Sequence, residues 1–248
     1  MRPERYLDLI EAALTGVLFD DPPDMPWTDG VYRPEQRAVG ADWPKTALTM
    51  IGTARMRNLR RLCEAAIFNS VPGDFLEAGV WRGGACIYMR AILEAHDDTE
   101  RRVFAADSFR GLPSPDAQRY PADTGATFHV YPQLAVPRAE VEDNFRRYGL
   151  LDERVVFLEG WFKDTLPTAP LDKLAVLRLD GDLYESTIQA LEHCYDRVSP
   201  GGAVIIDDYA IPNCRYATDN FRAVRGIAAP LEPIDGTAVW WLVRPNAA

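Results

Sequence analysis

Four apolar runs in this chain end in carboxylates: Glu77 in Asp74-Phe-Leu-Glu-Ala-Gly79, Asp107 in Val103-Phe-Ala-Ala-Asp107, Asp180 and Asp182 in Ala175-Val-Leu-Arg-Leu-Asp-Gly-Asp182, and Asp207 with Asp208 in Ala203-Val-Ile-Ile-Asp-Asp208. Apolar runs of this length read as buried strands. In a parallel sheet their carboxyl ends lie along one edge, so Asp180, Asp207 and Asp208 can converge there. Three like charges side by side are costly unless a cation neutralises them. Oxygen donors without His or Cys nearby favour a hard ion, magnesium first, whose remaining positions water or substrate oxygens fill. A hydroxyl bound to such an ion has a lowered pKa. Asp182, two residues beyond Asp180, is placed to take its proton as general base. Blander readings fit the same residues: Asp182 as the N-cap of a helix from Tyr184, Asp180 as a turn residue, and Asp207 and Asp208 as structural.

Glu77 is followed by Ala78-Gly-Val-Trp-Arg-Gly-Gly84, the pattern of a strand, a tight turn and a helix start. Unpaired N–H groups at such a helix start receive ligands in open α/β sheets, and glycine lets the backbone approach them closely. Dinucleotide folds place their acidic residue about 20 residues later, after the second strand. Here one carboxylate precedes the glycines and another, Asp107, closes the next apolar run. The first suits the amino group of an amino-acid-like ligand and the second a ribose diol; S-adenosylmethionine carries both. Trp161-Phe162 follows a strand ending at Glu159, where an adenine ring could pack, although core packing fits equally. His129 could orient or deprotonate a hydroxyl from a closing lid, or be a surface histidine. His96 and His193 lie in predicted helices and read as structural.

The chain of 248 residues, 47% hydrophobic and 26% charged, suits one large soluble domain with ample core. The formal charge of −10, from 27 Lys and Arg against 37 Asp and Glu, argues against a nucleic-acid substrate. No apolar run is long enough to span a membrane, no signal-peptide pattern opens the sequence, and a cytoplasmic location is expected. Cys63, Cys86, Cys194 and Cys214 lack metal-ligand spacing and read as reduced packing residues.

Periodicity predicts helices over 4–18, about 47–69, 84–96, 138–148, 184–198 and 214–226. Strands are predicted over 74–78, 102–107, 155–159, 174–180 and 202–207. Two more, over 231–234 and 238–243, are joined by a turn at Asp235-Gly236. Strands and helices alternate from residue 74 on, which predicts a mostly parallel sheet covered on both faces, with one antiparallel strand from the closing hairpin. Two irregular stretches, 20–43 and 108–137, are rich in Pro and are too long for ordinary connections; such segments form lids, arms or binding loops.

Glu77-Ala-Gly-Val-Trp-Arg-Gly-Gly84, Ala106-Asp-Ser-Phe-Arg-Gly-Leu-Pro113, Glu159-Gly-Trp-Phe162, Leu179-Asp-Gly-Asp-Leu-Tyr-Glu-Ser-Thr187 and Ile206-Asp-Asp-Tyr209 resemble the macrocin O-methyltransferase family, as do Arg5-Tyr-Leu-Asp-Leu and Met50-Ile-Gly upstream. The resemblance runs over most of the chain. It implies the doubly wound, Rossmann-like class I methyltransferase fold with a seven-stranded sheet. Residues 1–70 would form helical arm and lid elements packed on a methyltransferase domain at 71–248, with a lid insertion at about 108–137. The implied activity is S-adenosylmethionine- and Mg2+-dependent O-methylation of a sugar hydroxyl on an antibiotic glycoside, by a homodimer. By the same resemblance Asp180, Asp207 and Asp208 are the metal ligands and Asp182 the base. Glu77, Gly79, Asp107 and Ser108 hold the cofactor, with Trp161 and Phe162 beside the adenine. Met50, Ala78, Arg82, Gly83, Gly160 and Asp180 complete the expected cofactor site.

Other readings compete. A phenolic diol would satisfy the same metal geometry as vicinal sugar hydroxyls. Asp180-Gly-Asp182 could serve a metal-dependent glycosyltransferase, and a nicotinamide dehydrogenase or a cofactor-binding scaffold without catalysis are further rivals. Glu77 weighs against the first and second of these three, because it would repel a diphosphate at the glycine turn.

Overall fold

The computed structural model describes residues 3–25 and 28–244. The N-terminal part supplies three helices, α1 (Pro3–Leu14), α2 (Pro34–Ala38) and α3 (Gly52–Phe68). The alternating part then runs β1 (Asp74–Ala78), α4 (Gly84–Ala95), β2 (Val103–Asp107), α5 (Arg138–Arg147), β3 (Val155–Glu159), α6 (Phe162–Thr165), β4 (Leu174–Leu179) and α7 (Tyr184–Cys194). It closes with β5 (Val198–Ile206), α8 (Pro212–Val224), β6 (Glu232–Pro233) and β7 (Val239–Leu242).

Among the described residues the strands form one sheet in the order β3-β2-β1-β4-β5-β7-β6. β1 to β5 are parallel, and β7 runs antiparallel to both β5 and β6. This is the expected class I methyltransferase layout. Alternate residues of each strand point to opposite faces, and the apolar runs are continuous because both faces are covered. Phe75, Val176, Ala203 and Ile205 pack with α1, α3, α4 and α5. Leu76, Phe104, Leu177, Val204 and Ile206 pack with α7 and α8 on the other face. Among the described residues no helix is long and apolar enough to cross a membrane.

The departures from expectation are local. α3 begins at Gly52 rather than near Ala47, because the N–H groups of Leu48 and Thr49 are taken by the Leu14 carbonyl at the end of α1. α1 stops at Leu14 and is followed by a separate 3-10 turn, Val17–Phe19. α7 ends at Cys194 and a 3-10 turn, Tyr195–Arg197, leads straight into β5 at Val198. The short helices α2 and α6 carry too few turns to leave a periodic signature.

The stretch after α1 is ordered from inside by Arg37 on α2, whose side chain is buried. Its guanidinium donates to both oxygens of Asp42, at 2.7 and 2.8 Å, and to the carbonyls of Thr15 and Asp21. The Asp21 carboxylate in turn accepts from the N–H groups of Thr46 and Ala47 and from the Thr46 hydroxyl. A segment that reads as irregular is thus fastened at both ends, and presents Gly40 and Trp43 to the cavity described below.

At the end of β1, Gly79 has φ 89°, and a Cβ there would lie 1.7 Å from the backbone oxygen of Asp180. Alanine is strained at that φ, and its Cβ cannot make that approach. Gly79→Ala should therefore cost more than about 4 kcal/mol and leave little folded protein, read as soluble yield and melting temperature; a melting temperature within a few degrees of the parent would contradict this close approach.

Candidate active site

The exits of β1, β2, β4 and β5 share one edge of the sheet, and a cavity of about 320 Å³ opens there. Of the residues expected to form a site, Met50, Gly79, Asp107, Ser108, Gly160, Trp161, Phe162, Asp180, Asp182, Asp207 and Asp208 line it. Trp43, Trp81, Phe128 and Leu134 add apolar walls, and Glu185, Ser186 and Gln189 a polar flank from α7.

The strand ladders run one residue past β4 and β5: the Asp180 N–H donates to Ala78 O and the Asp207 N–H to Leu179 O, both at 2.9 Å. These bonds bring the two carboxylate-bearing exits side by side. One oxygen from each of Asp180, Asp207 and Asp208 lies within 4.8 Å of the others, the trio expected from sequence. Asp182 follows in a left-handed conformation, φ 56°, with its N–H 3.3 Å from Asp208 Oδ2. It does not cap α7, whose N-cap position is Leu183.

Beneath this cluster lies Arg178, 1% exposed. It sits opposite Glu77 in the β1–β4 register, so both side chains emerge on one face of the sheet. Its Nη1 donates to Glu77 Oε1 and, at 3.0 Å, to Asp180 Oδ2, while Nη2 donates to Asp207 Oδ1. Arg55 of α3 donates to the other oxygen of Asp207, to Asp235 at 3.0 Å and to the Val39 carbonyl at 3.0 Å. Sequence reasoning missed both arginines. The available signal was Arg178 itself, a charge inside an otherwise apolar strand run, which must find carboxylates when buried.

Two guanidinium groups do not balance the carboxyls around them. Burial pushes Asp182 up to about 8, with the charges of Asp180 and Asp207 adding to it. Burial also raises Asp180, with Asp207 adding to the effect. Asp208 is driven well above the carboxylate range by burial and then by Asp182 and Asp180, and no Arg or Lys is ion-paired with it among the described residues. An all-oxygen donor set with an uncompensated buried carboxyl fits a hard divalent cation. Asp180, Asp207 and Asp208 are the residues that would hold it.

The expected cofactor residues divide. Asp107 reaches the cavity, although its carboxylate also accepts from the N–H groups of Val80 and Phe109, each at 2.7 Å, and so ties down the glycine turn. Burial raises its pKa against those bonds. Glu77 does not line the cavity: Arg178 and the Cys86 thiol engage its carboxylate within the protein. Ala78 is fully buried. Gly83 starts α4 with φ 87°, and Arg82 donates to the carbonyls of Pro44 and Ala47, so both shape the turn rather than face the cavity. His129 is exposed in the 3-10 turn Phe128–Val130 and is not brought to the site; its neighbour Phe128 is.

Residues 23–243 match the model of the family described as Macrocin-O-methyltransferase (TylF). The chain belongs to that family. This O-methyltransferase is 52% identical, over 95% of its length and 91% of the relative's, to the 8-demethyl-8-(2,3-dimethoxy-alpha-L-rhamnosyl)-tetracenomycin-C 4'-O-methyltransferase of Streptomyces olivaceus. It is also 52% identical, over 95% of its length and 92% of the relative's, to the demethyldecarbamoylnovobiocin O-methyltransferase of Streptomyces niveus. The solved O-methyltransferase NovP superposes with a TM-score of 0.94 at 51% identity, covering 98% of this chain and 100% of that one. Membership of a methyltransferase family sets aside the glycosyltransferase and dehydrogenase alternatives.

Two measurements test the buried network. Arg178→Met leaves Glu77, Asp180 and Asp207 without their shared cation and should cost about 3–5 kcal/mol in urea unfolding; an unchanged midpoint would refute the dependence. Burial raises Glu77 to about 7, opposed by Arg178, so the folded state favours its protonated form. That contribution is complete below the unfolded carboxyl pKa and is lost as pH rises towards 7. In EDTA the melting temperature should fall over that interval, and Glu77→Gln should flatten that part of the slope.

Proposed function

We propose that this enzyme is an S-adenosylmethionine- and magnesium-dependent O-methyltransferase of a sugar hydroxyl on a glycosylated natural product. The observation that carries the reading is the convergence of Asp180, Asp207 and Asp208 beside Asp182 in one cavity, in a chain of this family. The relatives at 52% identity bear names of enzymes acting on a rhamnosyl-bearing tetracenomycin and on demethyldecarbamoylnovobiocin, which supports a glycoside acceptor.

When bound, S-adenosylmethionine would supply an electrophilic methyl group and magnesium would acidify the acceptor hydroxyl. The protein's own work is positioning, water exclusion and proton transfer. Asp107 and Trp161 line the cavity, where a ribose diol would meet the carboxylate and a flat base the indole. Asp182, in the cavity two residues beyond Asp180, is the carboxylate placed to take the hydroxyl proton. Arg178 and Arg55 hold Asp207 by both oxygens, so its carboxylate cannot swing. Trp43, Phe128 and Leu134 cover the cavity from the two irregular stretches and would shield the reacting oxygen from water.

Calorimetric titration of S-adenosylhomocysteine should give binding both with magnesium and with EDTA; absence of binding in both would refute the cofactor assignment. With a demethylated glycoside acceptor, Asp182→Asn should lower kcat about 10²–10⁴-fold, with S-adenosylhomocysteine affinity within twofold of the parent. Asp207→Asn should weaken magnesium activation, and full turnover by the parent enzyme in chelator would sink the metal role.

A further inference from the structure

The two helices that follow the carboxylate-bearing strands, α7 after β4 and α8 after β5, are joined at their starts by one side chain from elsewhere. Asp123 belongs to the 3-10 turn Pro121–Asp123 within the long connection from β2 to α5, and is 0% exposed. Its Oδ1 accepts from the Tyr184 N–H at 2.7 Å and its Oδ2 from the Glu185 N–H at 2.9 Å, the first two amides of α7. Oδ1 also accepts from Asn213 Nδ2 of α8 at 2.9 Å. Leu183, the N-cap residue of α7, offers no side-chain bond, so a carboxylate about 60 positions upstream does the capping. Negative charge at a helix start is favourable, which explains how Asp123 is buried with no cationic side chain paired to it among the described residues. Tyr120 reinforces the contact: its hydroxyl accepts from Gln189 Nε2 at 3.3 Å and its ring lies 6.1 Å from that of Tyr184.

We infer that Asp123 is a positioning residue for the catalytic cluster, acting through the turn Gly181–Leu183 and the start of α8. Asp182 holds a left-handed backbone, a sparsely populated region for a non-glycine residue, and the structure holds it from both flanks. Upstream, the ladder bond from the Asp180 N–H to Ala78 O fixes it; downstream, the first turn of α7 does, and Asp123 holds that turn. The same carboxylate fixes α8 through Asn213, five residues beyond Asp208. The β2–α5 connection therefore sets the spacing of Asp180 and Asp182 relative to Asp208, in addition to covering the cavity.

This inference rests on the metal reading proposed above, and the test separates the two. Mn2+ is titrated calorimetrically into the full-length protein saturated with S-adenosylhomocysteine, for the parent, Asp123→Ala, Asp123→Asn and Asn213→Ala, alongside amide hydrogen exchange. In Asp123→Ala the Tyr184 and Glu185 amides should exchange faster and the Mn2+ dissociation constant should rise about five- to tenfold, the scale of a lost cap. S-adenosylhomocysteine affinity should stay within twofold. Asp123→Asn keeps the acceptor for the Tyr184 N–H and Asn213 but sets a donor against the Glu185 N–H, and should recover part of the Mn2+ affinity, while Asn213→Ala should show a smaller loss. Parent-like Mn2+ binding in Asp123→Ala, despite faster exchange at Tyr184 and Glu185, would reduce Asp123 to a helix cap and overturn the inference alone. Should Asp123→Ala fail to fold, parent-like Mn2+ binding by Asn213→Ala would overturn it equally. A parent protein that binds no Mn2+ would overturn the metal reading and this inference with it.

Discussion

Carboxylates crowd one edge of this sheet, and the fold must hold them there in the folded state. Glu77, Asp180 and Asp207 leave three adjacent strands within reach of a single buried guanidinium, that of Arg178. Without it, three strand exits would carry uncompensated charge in a low-dielectric interior. With it, the sheet edge closes, but the balance is incomplete, and Asp208 and Asp182 are left to burial and mutual repulsion. The hard cation proposed there would relieve this repulsion, so the cost of assembling the cluster and the proposed binding have one origin.

Arg55 extends the same network outward. It ties Asp207 to Asp235 in the turn between β6 and β7 and to the Val39 carbonyl just after α2. The N-terminal segment is thereby bound to the carboxylate-bearing edge by a charge as well as by apolar packing, and Gly40 and Trp43 become cavity wall. The long connection after β2 closes the other side through Asp123 and Tyr120. Both irregular stretches, which share no secondary-structure pattern, are held by buried ionic side chains, among them Arg37 and Asp21 in one and Asp123 in the other. Side chains of this kind order a loop because leaving their hydrogen-bonding groups unmet inside the protein is so unfavourable.

The strands and the convergence of Asp180, Asp207 and Asp208 were legible in the sequence. β1 and β3 fall on their expected residues and β4 differs by one, because continuous apolar runs bounded by charge and glycine leave little choice of period. The trio followed from a rule of topology, that parallel strands present their carboxyl ends together, and its oxygens lie within 4.8 Å. The expectation for Glu77 was drawn from the same rule, and the structure turns that side chain inward to Arg178 instead. Position along a strand tells which edge a residue reaches; which way its carboxylate turns depends on the partner across the ladder.

Residue order along this chain carries the local information: apolar period, strand exits, the glycine turn, and the family motifs that go with them. These are set by near neighbours, so a single chain suffices to read them. The partners of Arg178, the reach of Arg55 across 152 positions to Asp207 and the capping of α7 by Asp123 across 61 were decided only by the tertiary fold. Each is a pairing of buried charge or hydrogen-bonding capacity over long sequence separation. Such pairings depend on which groups the packed sheet leaves unsatisfied, and no local pattern in the sequence encodes that.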